Sequence, residues 1–248
     1  MKKKIFTVCA IVFWLVVWQL AAMAVGKSLL LASPVEVIQR LFELVPDEAF
    51  LPSVLFTLGR IMLGFALGTV TGVILAVLGG KFVFCEKLFA PLITAVKAVP
   101  VASFTILALI WISSANLSVL ITFLISVPVV YSNVFEGIHS LDPKLTEMGK
   151  IFRVPVMRRF FGIYLSQIMP YFRSAVKLSV GLCWKSGVAA EVIGTPRGSI
   201  GQMLYNSKIY LETADLFAWT LVIIVLSIIT EKLVLLVIDL CAKRIERL

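Results

Sequence analysis

The chain alternates between long apolar runs and short charged interruptions. A membrane-crossing helix needs about 20 mostly apolar residues. Ile5–Val25 is uncharged and follows Lys2, Lys3 and Lys4. Leu51–Gly80 holds one charge, Arg60. Ala98–Phe135 holds none, and the polar break Ser113-Ser114-Ala115-Asn116 divides it into a hairpin. The third span is expected to begin near Leu88 and pass through Lys97 and Pro100, with the fourth over Leu117–Ile138. A fifth is expected over Pro170–Val192 and a sixth over Leu216–Ile238. The pattern predicts an all-α integral membrane protein of about six transmembrane helices. Residues 1–50 form the first helix and an outer loop, 51–238 the transmembrane core, and 239–248 a basic tail. Within the core, 139–168 form a cytoplasmic loop.

Composition supports the membrane class. The chain of 248 residues is 60% hydrophobic and 15% charged, with a mean hydropathy of +1.03. Soluble domains average about 45–50% apolar and about 25% charged residues. The net charge of +9 would suggest nucleic acid in a soluble protein, but here it has a topological reading. With the N-terminus inside, the inner pieces carry Lys2, Lys3, Lys4, Lys81, Lys87, Lys144, Lys150, Arg153, Arg158, Arg159, Lys243, Arg244 and Arg247. The outer loops hold only Lys27, Arg40, Arg197 and Lys208. Basic residues collect on the cytoplasmic side, so both termini are expected there and no nucleic acid is implied. The Ala22-Met23-Ala24 stretch resembles a signal-peptide cleavage site, but the uncharged run before it exceeds the usual signal core.

Catalytic chemistry has little to build on. Cys9, Cys85, Cys183 and Cys241 are far apart without a CxxC pair, and His139 stands alone. No metal site, cofactor or enzyme activity is expected. Gly26-Lys27-Ser28 looks like the end of a phosphate-binding loop, but the required earlier glycine is Ala21 and no strand precedes it. Any ATP must be bound by another chain.

Four features invite function. Gly64, Gly68, Gly72, Ala76 and Gly80 recur every fourth residue in the second span, a spacing that lets helix backbones approach closely in lipid. The partner could lie in this chain or in a second copy. Arg173, Lys177 and Lys185 lie along the fifth span with Gly181 in the same series, and Glu191 follows. Charges within spans are costly and often functional. Lys177, Lys185 and Glu191 are therefore candidates for lining a translocation path, with snorkelling and structural pairing as the alternatives. Pro91, Pro100 and Pro128 predict irregular central helices. Finally, Pro143 and Pro155 bracket a short cytoplasmic helix with Leu145, Met148 and Phe152 on one face. That face must meet lipid, the protein's own bundle or a partner's groove.

These stretches together resemble an inner-membrane permease of a binding-protein-dependent ABC importer. The nearest branch is assigned to sulfonates, taurine and nitrate. The likeness runs from Leu51 to Ile238. It rests on "TLGRIMLGFALGTVTG", "PLITAVKAVPVASFTILALIW", "TEMGKIF" followed by "MP", and "GLCWKSGVAAEVIG". The resemblance implies a multi-pass protein of the bacterial inner membrane and a type I importer permease fold. It also implies cytoplasmic ABC ATPase subunits, an extracytoplasmic solute-binding protein and a second permease copy. Its loop motif, E-A-A followed by G and I-x-L-P, would form the helix that docks on the ATPase. Glu147 takes the glutamate, and Ile163 and Leu165 take the I-x-L. Met148 and Gly149 stand where alanines are usual, Arg153 at the usual glycine and Ser166 at the first proline. Glu147, Met148, Gly149, Phe152 and Arg153 are the implied coupling residues. The rival classes are a secondary transporter driven by an ion gradient and a membrane scaffold without transport. The first would favour intramembrane acids and repeated halves, and no clear repeat is visible.

Overall fold

A computed structural model describes residues 2–245, apart from the side chains of residues 2–5, 8, 150 and 243–245. All regular structure among them is helical. In order, the helices are α1 (Lys2–Val25), α2 (Pro34–Leu44), α3 (Phe50–Lys81), α4 (Val83–Ala98), α5 (Val101–Ala108), α6 (Ser114–His139), α7 (Pro143–Ile151) and α8 (Val156–Arg159). A π-helical segment (Phe160–Leu165) then leads into α9 (Ser166–Gly194), α10 (Ile200–Ile209) and α11 (Thr213–Ile245).

The span expectation is met in part. Among the described residues, α3, α6 and Thr213–Ala242 of α11 are long and apolar enough to cross a membrane. The apolar stretch of α1, Cys9–Val25, is shorter, and α9 is interrupted by Arg173, Lys177, Lys185 and Glu191. The third expected span is corrected. Its helix starts at Val83 rather than near Leu88, and it breaks at Val99–Pro100 with a 96° bend between α4 and α5. Val99 and Pro100 both have extended backbone. The residue before a proline is pushed out of the helical region, which ends the first helix there. Pro91 and Pro128 stay inside α4 and α6 without ending them.

The chain divides into two compact units. One comprises Met1–Thr57 and Thr195–Val225, the other Leu58–Gly194 and Leu226–Leu248. In the first, α2 and α10 occupy stretches expected to be plain loops. Ser33 starts α2 with a capping box, its hydroxyl accepting from Glu36 N at 3.3 Å while its own N–H donates to Glu36 Oε2 at 2.8 Å. Pro34 follows at the first helical position, where its missing N–H costs nothing. Ser199 caps α10 through its hydroxyl, which accepts from Gln202 N at 3.0 Å. Thr57 Oγ1 then receives the N–H of Ile200 at 3.0 Å, giving one orphan donor of that helix a partner. Arg40 on α2 grips the Asp215 carboxylate, with Nη2 to Oδ2 at 3.0 Å, and reaches Glu43 at 2.8 Å. Asp215 first, then Glu43, hold the guanidinium protonated beyond its already high range.

The second unit is built on close contact between α3, α6 and α9. A Cβ on Gly64 would lie 1.9 Å from Thr122 Oγ1 and 2.3 Å from Val119 O. One on Gly68 would lie 2.6 Å from Ser126 Cβ, and one on Gly72 2.9 Å from Val130 Cβ. The glycine stripe of α3 therefore faces α6 of the same chain. On the other side of α6, Ser179 donates to Ser126 Oγ at 2.9 Å and Cys183 to Thr122 O at 3.4 Å. A Cβ on Gly187 would meet Ile61 Cγ1 and Thr122 Cγ2 at 2.8 Å each. Ala175, Ser179, Cys183 and Gly187 thus form a second four-residue series, and Ser118, Thr122, Ser126 and Val130 a third. Small side chains with hydroxyls that bond back to local carbonyls, as Thr122 does to Ser118 O at 2.7 Å, allow this approach, and of the series only the Ser118 hydroxyl is buried without a partner. Further along α9, the buried Trp184 donates to Thr230 Oγ1 on α11 at 2.7 Å.

These distances set apart two kinds of glycine. Gly64→Val should destabilise the detergent-purified protein by about 3 kcal/mol or more, because the backbone of α6 cannot yield. Gly181→Ala, where a Cβ would meet nothing within 4 Å, should be neutral or gain up to about 1 kcal/mol of helix propensity. Thermal unfolding followed by tryptophan fluorescence checks both, and equal melting of the two variants would contradict the seam.

Candidate functional site

The loop between α6 and α9 is assembled from strong local signals. Asp142 caps α7, its Oδ1 accepting from Lys144 N at 2.8 Å, and Pro143 takes the first helical position. At the other end the N–H of Phe152 bonds to Met148 O and that of Val154 to Gly149 O, both at 3.0 Å. The second bond spans the Schellman pattern, which needs a left-handed residue between helix and exit. That residue is Arg153, at φ +51°. The arginine adopts the backbone that the usual glycine of the motif would supply. A non-glycine residue there costs roughly 1–2 kcal/mol, and the two capping bonds hold it in place.

The motif's two halves meet in space. Gly149 is buried, and a Cβ on it would lie 2.8 Å from Ile163 Cδ1 and 3.2 Å from Arg159 Cδ. Both neighbours are ends or stems of flexible side chains, so the site also has room for an alanine after a small shift. Ile163 belongs to the π-helical segment, where Ser166 Oγ donates to Phe161 O at 3.2 Å. Gln167 ties the loop's start to this segment, accepting from Asp142 N at 2.8 Å and donating to Ile163 O at 3.1 Å. The opposite face of α7 is open. Glu147 and Met148 are exposed, and Ile151, Phe152, Val156 and Met157 are between 69% and 77% exposed. The loop therefore presents a cluster of large apolar side chains beside an exposed carboxylate on a helix fixed at both ends.

The α9 charges separate into three environments. Arg173 pairs with Asp239 of α11 through two bonds, Nε to Oδ1 at 2.8 Å and Nη2 to Oδ2 at 2.9 Å. Lys177 and Lys185 are exposed and form no ion pair among the described residues. Glu191 is fully buried, in the same helix as the buried Ala190 and Val188. Lys177 and Lys185 thus share a surface, while Glu191 lies in the packed interior. In the bent pair, Lys97 at the end of α4 donates to Ser132 Oγ of α6 at 2.7 Å. Sequence reasoning noted Lys97 but not this bond, which joins residues far apart in the chain. Arg60, also noted only as a lone charge, donates to Asn116 Oδ1 at the start of α6.

Arg153→Gly should relieve the left-handed strain and stabilise the end of α7 by about 1 kcal/mol. Hydrogen exchange of the Phe152 and Val154 amides should slow accordingly. Arg153→Val should speed it, since a β-branched residue tolerates that backbone least.

Residues 68–247 match the sequence profile of the family described as binding-protein-dependent transport system inner membrane component. A permease of Bacillus subtilis named for aliphatic sulfonates transport, SsuC, is 26% identical over 88% of this chain and 79% of its own length. The nitrate import permease NrtB of Synechocystis is 24% identical, with 82% and 78% covered. The formylaminopyrimidine transport permease ThiX of Halalkalibacterium halodurans is also 24% identical, with 74% of each chain covered. Among solved structures, an amino acid ABC transporter with histidines superposes with a TM-score of 0.57 at 15% identity, covering 80% of this chain and 93% of that one. That likeness carries the fold alone. The profile covers well over half the sequence, and this chain belongs to the family of binding-protein-dependent transport system inner membrane components.

Proposed function

We propose that the chain is the pore-forming permease subunit of an ATP-driven importer for a small oxyanion. The carrying observation is the α7 surface. A cytoplasmic helix held by Asp142 and the Arg153 turn, with Phe152 and its apolar neighbours exposed, has the form of a docking element for a separate ATPase. The ATPase hydrolyses ATP, so this subunit is not itself an enzyme and binds no cofactor. In the proposed topology six helices cross a bacterial cell membrane with both termini in the cytoplasm. The distribution of lysine and arginine supports that orientation. A second copy completes the path, and an external binding protein delivers the cargo.

An oxyanion is favoured by two things. The relatives named for sulfonates and nitrate carry such cargo in their names, and the exposed face of α9 bears Lys177 and Lys185 without acidic partners. The path candidates are these two lysines, with Glu191 acting from behind the wall they form.

Reconstitution with the ATPase and binding protein tests the coupling reading. Phe152→Asp should lower binding-protein-stimulated ATP hydrolysis by roughly tenfold or more, the loss expected for a buried aromatic anchor. Glu147→Lys should lower uptake and stimulation together. Unchanged uptake and hydrolysis in both variants would remove α7 from the interface. Uptake that survives ATP depletion but collapses with an ionophore would instead favour a gradient-driven transporter. For the path, Lys185→Glu should reduce anion uptake several-fold, roughly the effect of reversing one charge near a focused field, and Lys185→Arg should preserve it.

A further inference from the structure

The opening between α9 and α11 sets Lys177, one of the two path candidates, in surroundings that suit a ligand other than cargo. It is a cleft of about 580 Å³ at the first turns of α9, beside Met169, Pro170 and Leu235. Arg173, Ser174 and Lys177 supply its polar side. The Arg173 charge is matched by Asp239 across two short bonds. That leaves Lys177 as the uncompensated charge lining the cleft, with the exposed Ser174 hydroxyl on the same wall.

The face of α11 turned away from Leu235 and the cleft is of another kind. The most apolar window of α11 is only 11% buried. Leu233, Leu236, Val237 and Leu240 expose between 54% and 59% of their surface. Aliphatic side chains exposed to this degree along a spanning helix face acyl chains rather than water. Lys177 lies seven residues from Pro170, about 10 Å along the helix. In the orientation argued above, which this step takes over, its long side chain reaches back from there to the cytoplasmic headgroups by snorkelling. A free cation and a hydroxyl within reach of the headgroups, beside the apolar Met169, Pro170 and Leu235, match a phosphate with attached acyl chains. Basic pockets between helices on that side are suited to anionic lipid headgroups.

We propose that this cleft holds the phosphate of an anionic phospholipid, with Lys177 as its charged ligand, Ser174 as a hydrogen-bond donor and an acyl chain along α11. Arg173 and Asp239 act as a neutral wall that keeps the cleft open. The assignment gives Lys177 to lipid and leaves Lys185 as the cation of the path.

Native mass spectrometry of the full chain, taken in mild detergent from bilayers of phosphatidylglycerol and phosphatidylcholine, reads the retained lipid. Phosphatidylglycerol should be retained in preference to phosphatidylcholine. Lys177→Gln should lower that retention about fivefold, the value of one basic side chain at an anionic surface. Lys177→Arg should preserve it and Lys185→Gln should leave it unchanged. Ser174→Asp, which adds a negative charge in the same cleft at an exposed position, should lower it as well. Equal retention in the wild type and in both charge variants overturns the proposal, as does equal retention of the two lipids. A last arm adds methanesulfonate or nitrate. Displacement of phosphatidylglycerol by either anion from the wild type would make the cleft a cargo site and overturn the lipid assignment. This readout requires no ATPase, so a failure of the coupling reading leaves it intact.

Discussion

The second unit depends on how near the backbones of α3 and α6 come to one another. Gly64, Gly68 and Gly72 on one helix and Thr122, Ser126 and Val130 on the other leave no room for a single added methyl group. In lipid the hydrophobic effect gives helices no reason to associate, so contact distance and local hydrogen bonds decide. The seam supplies both. It also makes α6 a shared wall, since Thr122 and Ser126 receive α3 on one side and α9 on the other. Everything α9 presents, from Arg173 at its start to Glu191 near its end, takes its position from that wall.

Two interruptions of helical backbone show how differently proline and left-handed turns serve such a frame. Between α4 and α5 the chain turns through 96° at Val99–Pro100, and Lys97 reaches across to Ser132. The bend is a matter of steric exclusion before proline. At Arg153 the chain instead folds back under its own helix, and the turn is secured by two backbone bonds to Met148 and Gly149. The first interruption redirects an apolar segment. The second points a short amphipathic helix outward while packing Gly149 on Ile163, in the π-helical segment that leads into α9.

Much of this was readable in the residues, for reasons that differ by element. The boundaries of α3 and α6 follow from long apolar runs, that of α3 broken only by Arg60, and α7 from its bracketing prolines. The glycine stripe announced close packing, but a stripe cannot name its partner, and only the pairing with Val119, Thr122 and Ser126 does so. The small helices α2 and α10, of 11 and 10 residues, are too short to stand out among span-length runs, although Ser33 with Glu36 is a capping box in plain view. The irregularity of the third span was foreseen at Pro100, yet its magnitude depends on where α5 packs, which involves Leu117 and Ile121 far along the chain. Arg153 shows the opposite lesson. Matched by letter, it departs from the motif, while its backbone conformation keeps to it.

The charges of α9 carry a consequence for how the protein is made. At the bilayer centre each of Arg173, Lys177, Lys185 and Glu191 would oppose partition by up to about 2.5–3.5 kcal/mol on insertion scales. A helix so composed has no affinity of its own for hydrocarbon, yet its buried face is shaped to α6 and its Arg173 to Asp239 of α11. The unit that enters the membrane is then the set of neighbours, not the single segment. Synthesis has to reach Asp239 of α11, more than forty residues beyond Glu191, before the ion pair that neutralises Arg173 can close.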